Sequence, residues 1–67
     1  MTDYLSNFQT IECNSDYGVF DWLGWSIYWN YVSGTGELYN PNGEFHTAGD
    51  SLEALAEEAA RHEEGES

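Results

Sequence analysis

The sequence predicts an α+β domain, an antiparallel meander of three to five short strands packed by one C-terminal helix. Three observations lead there. β-branched and aromatic residues crowd the first two thirds of the chain, between turn signals rich in Asn and Gly. Apolar residues then recur at helical spacing over positions 50–64. No repeat or linker divides the 67 residues, so 1–67 reads as a single domain, with the sheet over 8–47 and a frayed acidic tail at 65–67.

The first strand is expected over Phe8 to Cys13, where Thr10 and Ile11 are β-branched. Asn14-Ser15-Asp16-Tyr17-Gly18 supplies turn chemistry through Asx side chains and a glycine. Val19 to Val32 is the richest in strand formers. Its alternate row Val19, Asp21, Leu23, Trp25, Ile27, Trp29 and Tyr31 is the more apolar from Leu23 onward, which assigns it to the core face. Gly24 marks a bulge, or a break that splits the run into two strands.

Ser33-Gly34-Thr35-Gly36 is a turn, and Glu37 to Tyr39 the next short strand. Asn40-Pro41-Asn42-Gly43 is a strong β-turn sequence, with Pro fixing φ and Gly ready for positive φ. Glu44 to Thr47 returns antiparallel. The helix is expected over 50–64, capped by Asp50 with Glu53 completing a capping box. Leu52, Leu55, Ala56 and Ala59 share the face that packs on the sheet, and Gly65 ends the helix.

A chain this short buries only about 60% of its unfolded surface, so its core must be dense. Three Trp, five Tyr and three Phe can supply that, and they outweigh the disorder that low hydropathy and high charge would otherwise suggest. Seven of these aromatics lie between Tyr17 and Tyr31. One helix covers only one face of a sheet, so some of Phe20, Trp22 and Tyr28 should be exposed. There they form either a binding hot spot or a second packing layer.

Charge narrows the function. Thirteen acids face a single basic side chain, Arg61, for a formal net charge of −12. Such a chain repels nucleic acid and anionic membrane and attracts basic surfaces. Direct nucleic-acid binding and membrane insertion are not expected; the apolar stretch Val19 to Val32 is broken by Asp21, Gly24, Ser26 and Asn30. Met-Thr-Asp-Tyr-Leu lacks a basic-then-apolar leader, and the one cysteine, Cys13, cannot form an internal disulfide. A cytoplasmic location is the expectation, as a monomer or weak dimer.

The acids are unevenly placed: four in residues 1–36 and nine in 37–67. At 100° per residue, Asp50, Glu53, Glu57 and Glu64 form one helical stripe, flanked by Glu58, with Arg61 as a lone partner for Glu57 or Glu58. Glu53 and Glu57 repel at i,i+4, and acids at the helix C-terminus oppose its dipole. A solvated outer face explains such a stripe in part, yet solubility alone favours mixed signs. Carboxylate rows at about 1.5 Å rise per residue can instead approximate phosphates spaced about 3.4 Å along a DNA strand. The expected partner-binding residues are Asp21, Glu37, Glu44, Asp50, Glu53, Glu57, Glu58 and Glu64, with Trp22 and Tyr28 as aromatic anchors.

Chemistry is not expected. Cys13, His46 and His62 lack the local spacing of a structural zinc site, so neither metal nor cofactor is assigned. A general acid/base pair from Asp21 with Glu37 or Glu44 would need a water-excluding pocket that so small a domain hardly builds.

In size, acidity, lack of lysine and sheet-plus-helix pattern, with acids such as Glu37, Glu44, Glu53, Glu57 and Glu58, the chain resembles small phage-encoded anti-CRISPR proteins of the DNA-mimic type. The resemblance covers the whole chain through composition and architecture. It implies a non-enzymatic inhibitor in the host cytoplasm that occupies the basic PAM/DNA-recognition surface of a CRISPR effector, such as a Cascade-type complex. Two other readings stand beside it. One is a small domain with an acidic surface adapted to high salt. The other is an antitoxin-like module covering a basic partner, since Thr47 to Glu53 looks like the entry to the helix of HicB-type antitoxins.

Overall fold

In a computed structural model, residues 4–65 are described. After a short 3-10 turn at Tyr4–Asn7 come β1 (Gln9–Cys13), β2 (Tyr17–Trp22), β3 (Trp25–Asn30), β4 (Thr35–Tyr39) and β5 (Phe45–Gly49). They form one antiparallel sheet in the order β1-β2-β3-β4-β5, and α1 (Leu52–Glu63) packs across one face of it. The fold is the expected α+β meander with a C-terminal helix.

Each strand-to-strand connection except the tightest is organised by an asparagine. Asn14 Oδ1 accepts from the amides of Asp16 and Tyr17 at 2.7 and 3.0 Å. Asn30 Oδ1 does the same for Val32 and Ser33, and Asn40 Oδ1 for Asn42 and Glu44. These side chains stand in for the ladder partners that the backbone loses at a turn.

The tightest connection corrects the expected core row. Trp22 pairs with Trp25, leaving Leu23 and Gly24 as a two-residue turn with φ of 52° and 90°. Positive φ at both positions is the type I′ hairpin. Such a turn puts both flanking residues on the same face, so the inward parity switches at the turn. Phe20 and Trp22 point to the helix from β2, and Trp25, Ile27 and Trp29 from β3. Val19 and Asp21 therefore lie on the opposite face, and Leu23 is 62% exposed. A left-handed backbone costs a leucine about 1–2 kcal/mol. Leu23→Asn is accordingly expected to raise stability by about 1 kcal/mol, read as a higher urea midpoint with unchanged slope.

The core consists of Phe8, Phe20, Trp25, Ile27, Leu38, Leu55, Ala56 and Ala59, with Ile27 and Leu38 fully enclosed. Alanines on the inner helix face let α1 sit close to the sheet. Gly36 has a similar role within the sheet, because a Cβ there would strike the Trp29 ring and the Tyr28 carbonyl. The helix begins at Leu52 rather than at position 50, and its N-cap is Ser51, not Asp50, the Ser51 side chain accepting from the Ala54 amide at 3.3 Å. Ala54 occupies the third position after this cap, so the expected capping box with Glu53 does not form. Gly65, at φ 88°, closes the C-terminus with its amide donating to the His62 carbonyl. The expected frayed tail otherwise lies outside the described residues.

Both edge strands are bulged. Ile11 is the extra residue between Thr10 and Glu12 in β1, and His46 the extra residue between Phe45 and Thr47 in β5. Bulges twist an edge away from further pairing and re-aim side chains.

Candidate functional site: the uncovered sheet face

With α1 on one side, the other side of the sheet has no protein layer over it among the described residues. Strand register fixes what it displays. Glu12, Val19, Tyr28, Glu37 and Ala48 form one row across the five strands. Gln9, Asp21, Ser26, Tyr39 and Phe45 form the next. Tyr17, Asn30 and Thr35 continue the face at one end.

Aromatic rings link the two rows. Tyr28 meets Tyr39 edge-on with centroids 5.4 Å apart, and Tyr39 meets Phe45 the same way at 5.9 Å. Phe45 is 58% exposed and Tyr28 49%, which is high for rings already in contact with neighbours. Two clefts of about 450 and 350 Å³ open here, and both are lined by Tyr28 and Glu37.

The acids on this face hold the phenols. Tyr17 donates to Glu12 at 3.0 Å, Tyr39 to Glu37 at 3.3 Å, and Ser26 to Asp21 at 3.2 Å. The hydrogen bond to Glu12 raises the Tyr17 phenol above its ordinary range, and the Glu37 charge does the same for Tyr39. Since the folded state favours the protonated phenols, their contribution to stability is complete below the ordinary tyrosine range and is lost as pH rises through the raised values. Glu37→Gln is expected to return Tyr39 toward ordinary titration. An ultraviolet phenolate titration that superimposes on wild type would contradict this.

The expected site residues separate into two groups on opposite sides of the sheet. Asp21, Tyr28 and Glu37 share the uncovered face, and Glu44 stands in the exposed β4–β5 loop beside Phe45. Glu53 and Glu57 are exposed on α1, with Asp50 just before its cap and Glu64 at its C-cap. Trp22 is on the helix side, half-buried against Phe8 at 5.5 Å. Arg61 pairs with neither Glu57 nor Glu58. Glu58 instead accepts from His46 Nε2 at 2.9 Å and His62 Nε2 at 3.2 Å. The His46 bond holds its carboxyl below the ordinary range, aided by His62 and opposed by partial burial.

Tyr17, Tyr39, Phe45 and Glu12 were not among the expected site residues. The register of β1, β4 and β5 places Glu12, Tyr39 and Phe45 beside Tyr28 and Asp21, and alternation along β2 puts Tyr17 on the same face.

No protein-family model, no curated protein and no solved structure matches the chain. Among the described residues, no helix is long and apolar enough to cross a membrane.

Proposed function

We propose that this protein is a non-enzymatic inhibitor that binds the basic, nucleic-acid-reading surface of a partner protein with its uncovered sheet face. The resemblance to DNA-mimic anti-CRISPR proteins makes a Cascade-type CRISPR effector the partner of choice. The observation that carries the reading is the Tyr28–Glu37–Tyr39 unit: two rings at right angles around one carboxylate, at the centre of an exposed face that holds no basic residue.

Carboxylates accept bidentate guanidinium bonds, and phenol rings accept cations on their faces. Glu12, Asp21 and Glu37 lie on β1, β2 and β4, so their charges spread over roughly 15 Å of sheet at about 4.8 Å per strand. That breadth can engage several arginines or lysines at once. Rim ion pairs give only about 0–1 kcal/mol each, so the aromatic anchors supply what charge alone does not. A second copy is a poor occupant, because each chain brings a net charge of −12 to the contact.

The test is capture of purified Cascade-type effector on the immobilised protein, at physiological and at high salt, with and without target duplex. Capture that duplex abolishes and salt weakens supports the reading. Absence of capture, with a fold that persists only in molar salt, would replace it with the salt-adapted domain. Capture that duplex leaves intact would place the contact away from the DNA surface.

A further inference from the structure

We propose that His46, Glu58 and His62 form a binding site for a zinc-class divalent cation that ties α1 to β5. The chain has two histidines, and they come from different layers: His46 from the bulge of β5, His62 from the last turn of α1. Their rings meet at 4.6 Å and 87°, and both Nε2 atoms are directed at the same oxygen, Oε2 of Glu58. All three donor atoms lie within 4.8 Å of one another.

That spacing suits a metal. Bonds of about 2.0–2.2 Å in a tetrahedral site separate neighbouring ligand atoms by roughly 3.4 Å. The two contacts to Glu58, 2.9 and 3.2 Å, need to open by only a few tenths of an ångström. Glu58 and His62 are one helical turn apart, which fixes them on a common side of α1. The β5 bulge leaves His46 on the same side of the sheet as its neighbour Thr47, the side that α1 covers, where strict alternation would have separated the two.

The surroundings hold the set in place. Trp25 lies edge-on to His46 at 5.3 Å and tilted against His62 at 5.5 Å, while its own indole N–H donates to Glu63 at 2.7 Å. Glu58 and His62 remain 37% and 44% exposed at the side chain, so water completes the coordination and the ion can enter from solvent. Two imidazoles and one carboxylate select borderline first-row divalent ions over calcium or magnesium. In a domain this small, a clamp between sheet and helix acts as the staple that a limited core calls for.

Titration of the full chain with Zn²⁺, and separately with Co²⁺, tests the site. Zn²⁺ at about a hundredfold excess over Kd is expected to raise Tm by roughly 10–20 °C, with one ion per chain. Co²⁺ is expected to quench the fluorescence of Trp25 and to give the visible absorption of a nitrogen- and oxygen-ligated tetrahedral ion. His62→Gln, on the exposed helix surface, and Glu58→Gln should each lower the affinity by more than about tenfold. Glu53→Gln with Glu57→Gln should leave it unchanged. Saturable binding that survives in the His62 variant, or that the Glu53 and Glu57 changes remove, would overturn the site. So would an unchanged Tm of wild type at millimolar Zn²⁺.

Discussion

Leu38→Ala is expected to remove about half or more of the folding stability of this domain. Leu38 is fully enclosed, faces Ile27 across the β3–β4 ladder and lies on the side of the sheet that α1 covers. Leu→Ala at such a site costs about 2–5 kcal/mol, from lost transfer energy and from the cavity left behind. A 67-residue domain has about 3–10 kcal/mol in all, at roughly 0.05–0.15 per residue. A fall in Tm of at least about 10 °C follows, with loss of the near-ultraviolet signal of the packed tryptophans. Leu23→Ala supplies the control within one residue type, because Leu23 is exposed on a strained turn and should cost almost nothing. Equal losses at both positions would contradict the assignment of the two faces.

The second large effect is on binding. Tyr28→Ala combined with Tyr39→Ala is expected to weaken capture of the proposed partner by about thirtyfold or more per ring, at about 2 kcal/mol each. Neither ring belongs to the buried core cluster, so the double variant should remain folded. Glu37→Lys should act at least as strongly. Glu37 stands opposite Tyr28 in register and accepts from Tyr39, so a lysine there both reverses the charge and displaces the phenol. Glu53→Lys with Glu57→Lys, on the outer side of α1, should mainly slow association and reduce its salt dependence, as rim charges do.

The contrast between these two sets of acids shows how far the sequence could be read. The helix was legible because its alternatives are few: Leu55, Ala56 and Ala59 fall on one side at any plausible start, even though Ser51 rather than Asp50 caps it. The break in the long aromatic run was legible from Gly24. Its consequence was not. Leu-Gly is a weak turn signal, and a leucine with positive φ contradicts local preference. A two-residue loop reverses the inward parity, so a row read straight through the turn crosses from one face to the other.

The clusters were harder still. His46 and Glu58 are 12 residues apart and belong to different layers, so local ligand spacing says nothing about them. Tyr28, Glu37, Tyr39 and Phe45 come together only through the register of three strands and the bulge at His46. Composition shows the strong negative charge of the chain, but the placement of the acids along it points to the helix. The exposed aromatics point to the opposite side of the sheet.

The measurement that bears most directly on the proposed binding face compares two folded variants in one competition assay. Tyr28→Ala/Tyr39→Ala and Glu53→Lys/Glu57→Lys would each be titrated against a purified Cascade-type effector pre-bound to labelled target duplex. Displacement of duplex by wild type and by the helix variant, with none by the sheet variant, is the predicted result. Displacement by the sheet variant at wild-type concentrations would contradict it.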